Sequence, residues 1–508
     1  FDGKYSKKDS VFTPNLTYKD AYTRTVALLK DNLFDSISVR FPRLKTVSND
    51  QRGTSRLNST CMGAYELGCG SDTTSSTSKI MAGSKFDDGK VYDKVGLYKN
   101  VFVGYKTSLG CDSVVNYTLT VVPDSSVKDL YVKTRGTGKA DGSDWDNAMG
   151  SKEFALVFEN LQTEGVTFYM AAGVYHPVYD YYGKETNDKR AFWKSNYGAN
   201  IYGGYDSLAT GNASTTTPNP TLYRTIFSGD FNGDDKVVMQ NDCYSYIEND
   251  DDNVKGSSLL EMSINGDVHI SGVELTGVKG PRGFASLLSI DAQKNSDYKV
   301  TIDNCKLYNS ETGIQTYKTK KLEVDKCEFS NLFDYSIISH TNCHISNSTF
   351  AHTGYVQFCG TGYRCDLLVE NSTFIKNKSN ISVFKNDSTS VNAQIYNNTF
   401  ISCKHPYGFD ISIDDNVSAT VAGNIFAGTS VSVNKKGGLD TKQQSFENNL
   451  FACKELDLGA TATEKGNIKL DDITSVYKYL LDGKYSESDT IFTPNLAYNG
   501  SSTRTVAL

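Results

Sequence analysis

The residues of this 508-residue chain best suited to chemistry are carboxylates, and their densest group is Asp230-Phe231-Asn232-Gly233-Asp234-Asp235. Hard oxygen ligands at alternate positions, here Asp230, Asn232 and Asp234, suit calcium, which takes about six to eight oxygens. The run lacks the distal acid of a complete loop, so Glu248 or Asp250 would have to fold back to close it. Asp414-Asp415 is a second acidic pair, and glycoside hydrolysis needs two carboxyls about 5–9.5 Å apart across a cleft. The polygalacturonase-type companions of such a pair, a Gly-His-Gly and an Arg-x-Lys further along, do not follow it, and Asp414-Asp415-Asn416 reads better as a turn between strands. A lyase would need a Lys or Arg base beside a uronate. Lys318, Lys320 and Lys321 cluster before one strand, where a solvated bend explains them equally well. His269 and His344 have no nucleophile in sequence reach. No catalytic residue is therefore assigned, and calcium is the one cofactor that the residues suggest.

The eleven cysteines include no CxxC pair, which favours an oxidising exterior over a metal cluster. Cys359 and Cys365 flank Gly-Thr-Gly-Tyr-Arg and are expected to bridge a short loop. Cys61, Cys243, Cys305, Cys327, Cys343, Cys403 and Cys453 cannot be paired from sequence. A net charge of −7, a pI near 5.5 and the lack of any Lys/Arg block argue against nucleic acid and anionic membranes as partners. No run of about 18 apolar residues exists to insert in a bilayer. Phe1 is not an initiator residue, so a mature or excised piece is expected.

The elements that must position these residues show in a recurring pattern over 268–451: VHISGVEL, VTIDNCKL, LEVDKCEF, CHISNSTF, LLVENSTF, AQIYNNTF, ATVAGNIF and QSFENNLF. Its last residues, Leu275, Leu307, Phe329, Phe350, Phe374, Phe400, Phe426 and Phe451, are separated by 32, 22, 21, 24, 26, 26 and 25 positions. Period-two alternation means strand, and most of these rungs are too short for a propeller blade of about 40–45 residues. A parallel β-helix is expected, its eight coils stacked at about 4.8 Å over roughly 35–40 Å. Three positions before the terminal residue stand Asn304, Asn347, Asn371, Asn397 and Asn448, and two before it Asn398, Asn424 and Asn449. Stacked Asn tolerates left-handed bends and bonds its neighbours, so these residues are expected to form a structural ladder, with Cys305 and Cys327 sharing a column likewise.

A longer period lies beneath this one. Asp2 to Leu28 and Asp482 to Leu508 share 18 of 27 residues at a constant offset of 480. The chain is expected to be a window on a tandem array whose unit is 480 residues, the alternative being two copies of a terminal motif within a complete protein.

Leu130-Tyr131-Val132, GTGKADGSDWDNAMG, TFYMAAGVYHPV, IYGGYDS and YRTIFSGDFNGDD, in that order, resemble the opening segment of bacterial right-handed β-helix surface proteins. There a strand, a Gly-rich turn and a Trp-Ala helix cap the first coil. VSNDQRGTSRLN followed by Met62-Gly63-Ala64-Tyr65-Glu66 resembles the closing signature of the same module. The pattern CGSDTTSSTSKIMAGSKF…YKNVFVGYKTSLGCDSVVNYTLTVVP is similar to a small Ig-like β-sandwich repeat of secreted Bacteroidota proteins, whose last two strands read G-C-D-S-V-V and T-L-T-V. It departs from that repeat in the early position of Cys69. The resemblance implies an all-β chain: 1–68 the tail of a preceding β-helix module, 69–123 a sandwich spacer, 124–128 a linker and 129–508 a right-handed parallel β-helix. Within the last, 129–260 would be an opening cap, 261–455 coils and 456–508 closing coils. It also implies a Cys69–Cys111 bridge and O-glycosylation at Asp-Ser or Asp-Thr motifs, here Ser10, Ser36, Thr73, Ser113, Ser207, Ser388 and Thr490. By the same resemblance the protein would be an extracellular stalk, filament or adhesin exported by type IX secretion. Its partners would be neighbouring repeats, like chains, and surface glycans or proteins. The alternative is a secreted polysaccharide lyase or a glycan-binding β-helix.

Overall fold

The structure, a computed structural model, describes residues 73–470 apart from short breaks, together with the two-residue strands Thr17–Tyr18, Ala21–Tyr22, Ala497–Tyr498 and Ser501–Ser502. The breaks fall at 107–111, 241–243, 257, 281–284, 294–296, 361–363, 378, 386–389, 402–407, 428–429, 435–441, 454 and 461. The chain divides into two compact units, residues 1–78, 87–89 and 98–119 in one and 79–86, 90–97 and 120–508 in the other.

In the larger unit, strands such as Lys321–Asp325 point alternate residues inward, and each pairs in parallel with its counterpart one coil along. Twelve such strands, Asp129–Val132 to Thr463–Lys465, form one sheet, and twenty more form a second. In a middle coil the second sheet supplies two strands, Thr373–Ile375 and Ser379–Lys385, before the chain returns to the first at Ser390–Tyr396. The chain is all-β in architecture, with this parallel β-helix as its main body.

The eight terminal residues of the sequence pattern fall in one register, Leu275 through Phe451. From Phe329 to Phe451 their rings stack at 4.6–5.2 Å with interplanar angles of 4–14°. Those separations follow the spacing of the strands that carry them. Tyr175 and Phe227 extend the column upstream. Residues 129–260 are therefore not simply a cap, because they already contain paired coil strands. The cap proper is α1, Ser151–Glu159, whose Phe154 and Phe158 are buried against Phe168, with Phe154 also against Phe227. Glu153 accepts the Gly150 N–H at its start. The expected tryptophan, Trp145, lies in a separate single turn ahead of it.

The Asn residues form two devices rather than one ladder. Asn304, Asn347, Asn371, Asn397 and Asn448 take φ of 50–55° at a left-handed corner. Asn398, Asn424 and Asn449 are buried one position further on. The backbone N–H of each donates to the side-chain oxygen of the Asn on the next coil, the last to Asn467. Each amide also donates to a carbonyl of the preceding coil, those of Val369, Ile395 and Val421. A second left-handed corner holds Asn309, Asn331, His352 and Lys376.

Between 73 and 122 the described strands make a three-stranded sheet, with Asp112–Val122 central, and a short hairpin at Ser84–Lys85 and Val91–Tyr92. The two final strands expected there are one continuous strand. No Gly or Pro interrupts Asn116-Tyr117, and the alternation runs on to buried Leu119 and Val121. The repeated termini also correspond: Thr17 pairs with Tyr22 and Tyr18 with Ala21, while Ala497 pairs with Ser502 and Tyr498 with Ser501.

Candidate functional site

The first left-handed corner reads Gly272, Asn304, Lys326, Asn347, Asn371, Asn397, Gly423, Asn448 and Gly466 along the coils. Over its first three rungs a loop, 206–222, folds back against the corner. Gly204 (φ 86°) and Gly272 (φ 68°) permit this contact, since a Cβ on either would lie 2.8 Å from Pro220. The result is an open groove of about 600 Å³, with Tyr202, Pro218 and Pro220 among its apolar lining and Arg224, Lys306 and Glu328 among its polar lining.

Two polar networks support it. The Arg224 Nε and Nη2 each donate to the Glu274 carboxylate at 2.7 Å, and Tyr308 adds a third donor at 3.0 Å. Burial pushes the Glu274 carboxyl up, but the Arg224 bonds outweigh it and hold the pKa below the ordinary value. On the other side His269 Nδ1 meets the Tyr202 hydroxyl at 3.1 Å and its Nε2 meets Asp303 at 2.5 Å. Ser271 and Asn304 also donate to Asp303. Ser271 thus bonds the acid and not the imidazole, so these residues do not form a nucleophile–base pair. Sequence reasoning passed over this region because the loop and corner meet only in the folded chain. The signal it held was Lys326, a cation in an Asn/Gly column.

The acidic loop closes differently from expectation. An antiparallel hairpin, with Lys236 opposite Glu248, carries the chain out and back, so the returning acid beside Asp230 and Asp234 is Asp252. Their carboxylate oxygens lie within 4.8 Å of one another. Glu248 instead pairs with Lys236 at 3.2 Å and Asp250 with Lys279 at 2.6 Å. Asp230 orders the loop by accepting the N–H groups of Gly233 and Asp235, while Asn232 gives its backbone N–H to Asp252. Beside them Asp235, bonded by Asn253 at 3.1 Å, has its pKa pushed up to about 7 by burial and by the charges of Asp230, Asp250 and Asp252. The Asn253 Oδ1 is buried without a hydrogen-bond partner. The three clustered carboxylates are hard donors of the kind calcium takes.

Elsewhere Asp415 and Asn416 form the turn before Ser418–Ala422, as the turn reading expected, while buried Asp414 ends the strand Phe409–Asp414 instead. Lys318, Lys320 and Lys321 pair with Asp291, Asp297 and Glu323. His344 bonds Glu370 on the next coil at 2.9 Å.

Cys365 is a buried free thiol, so the bridge expected to Cys359 is not made. Its place on the Arg364–Glu370 strand, in register with buried Val391, is that of an inward core residue. Cys305, Cys327, Cys343 and Cys453 are likewise free, and the described thiols behave as small apolar packing groups. Cys69 and Cys111 lie outside the described residues. Of the glycosylation candidates, Thr73 and Ser207 are exposed, whereas Ser10, Ser36, Ser388, Thr490 and the Ser113 side chain lie outside the described residues.

Residues 288–452 match the right handed beta helix region family, which fixes the hand of these coils. Among solved structures the chain is similar to the crystal structure of pectate lyase Pel9A, at 12% identity and a TM-score of 0.38 over 68% of this chain and 80% of that one. No curated protein matches the chain.

Proposed function

We propose that this chain is a non-enzymatic repeat unit of a long extracellular surface protein, a stalk, filament or adhesin. The observation that carries the reading is the 480-residue repeat: 18 of 27 residues recur, and both copies pair as the same short hairpin. The uninterrupted Phe stack and buried Asn ladder support a mechanical role, since each coil is fastened to the next by several in-register contacts. Against a lyase stands the pairing of each clustered lysine with a carboxylate, at 2.9–3.6 Å.

The test is an immunoblot of secreted and surface fractions from the source cells, using antibody raised to this segment. The expected band lies far above the 55.9 kDa of the segment. A native chain of that mass would end the repeat reading, and release of unsaturated uronates from pectin or glycosaminoglycans would end the non-enzymatic one.

A further inference from the structure

We propose that the groove between loop 206–222 and the first left-handed corner binds a neutral saccharide. The argument begins with what stacking demands of each column. A left-handed corner costs an ordinary side chain about 1–2 kcal/mol, and this column otherwise uses Asn or Gly, unlike the second corner with its His352 and Lys376. Lys326 (φ 51°) is the exception in this column, and it lines the groove.

The column just before the stacked aromatics changes over the same rungs. It reads Thr349, Thr373 and Thr399 in the middle coils, but Glu274, Lys306 and Glu328 where the groove lies. Two columns thus depart from their pattern on adjoining coils, around one cavity. Packing alone gives no reason for the coincidence, whereas a ligand site does.

The chemistry of the lining selects the ligand. Each of its three cations is paired with a carboxylate, Arg224 with Glu274 at 2.7 Å, Lys306 with Glu328 at 3.0 Å and Lys326 with Asp325, beside the lining, at 3.3 Å. Paired charges present fixed donors and acceptors side by side without a net field, which suits vicinal hydroxyls better than an anion. The Tyr202 ring is held by Tyr169 and His269 at 5.9 and 5.1 Å and, with the two prolines, offers apolar surface for the C–H face of a pyranose. The volume falls within the about 300–1,000 Å³ of small-molecule sites. An extended peptide is disfavoured, because the coil strands beneath the groove are paired on both sides and leave no edge for strand addition. This inference does not depend on the chain being a repeat.

The experiment is titration of the whole 508-residue chain with neutral probes (cello-, xylo-, manno- and chito-oligosaccharides) and acidic ones (oligogalacturonate and hyaluronan fragments), followed by calorimetry and by NMR of the sugar. At least one neutral probe should bind saturably, with little salt dependence. The informative variant is Lys326→Asn, which installs the residue the column otherwise uses. It should fold with an unchanged or higher thermal midpoint and bind about tenfold more weakly. Arg224→Gln should weaken binding as well. No saturable binding, binding of acidic probes alone, or binding unchanged in Lys326→Asn would each overturn the proposal, whatever the native chain length proves to be.

Discussion

Asn397 and Asn398 are adjacent, yet they do opposite jobs. Asn397 supplies a left-handed backbone, while Asn398 is buried and gives its amide to the Val369 carbonyl and to Asn424. The distinction predicts a contrast in stability. Asn424→Ala strands the Asn398 N–H and the Ile395 carbonyl inside the coil and should cost about 2–3 kcal/mol in urea unfolding. Asn371→Gly, at the exposed corner, should be close to neutral, and Asn371→Ala should cost about 1 kcal/mol. Asp235 carries a second residue-scale prediction. Its folded pKa of about 7 lies above the ordinary 3.8, so the folded state binds more protons and its stabilising share is complete below about pH 4. That share is lost as pH rises towards 7. Without divalent cations the thermal midpoint should fall over this window, and Asp235→Asn should flatten the fall. If the cluster takes calcium, millimolar calcium should raise the midpoint most at neutral pH and EDTA should reverse it. A midpoint indifferent to calcium in wild type and in Asp230→Asn alike would remove calcium from the account.

At the scale of the element, the coil is held by what it presents to its two neighbours. Phe374 stacks on Phe350 at 4.6 Å and on Phe400 at 4.7 Å, so Phe374→Ala opens a cavity that neither ring can fill and should cost about 3–5 kcal/mol. Phe374→Leu, the residue used at 275 and 307 in the same column, should cost less than about 1.5 kcal/mol. This column was legible in the sequence because one apolar residue recurs per coil and neighbours pair with their own kind. The buried and exposed Asn were not separable, since they stand one position apart and only backbone handedness tells them apart. The acidic loop was half legible. Asp230 and Asp234 were visible as a local run, but the returning acid depends on a hairpin whose register brings back Asp252 rather than Glu248 or Asp250. The groove was hidden more deeply. Its loop is irregular, its partner corner lies some 50 residues further on, and only Gly204, Gly272 and Pro220 let them meet. The Cys359–Cys365 expectation failed because spacing alone does not say which way a strand residue points, and Cys365 points into the core.

For the whole molecule, the proposed repetition at 480 residues makes a mechanical prediction that the coil spacing of 21–32 does not. Each coil touches only its neighbours, so a β-helix stretched along its chain loses coils in sequence, and load passes to the next module only when one has gone. Twelve strands at about 4.8 Å give the folded helix an axial rise of only about 50–55 Å. A fully extended unit of 480 residues spans about 1,600–1,700 Å. Pulling the native chain by force spectroscopy should therefore give events that recur with a contour gain of about 1,500–1,700 Å, each carrying smaller steps as coils detach. Phe374→Ala in every repeat should lower the force of those steps without changing the recurrence, because the recurrence is set by chain length and the force by stacking. A trace whose large events lack a common spacing would mean that the matching ends are not the marks of a tandem unit.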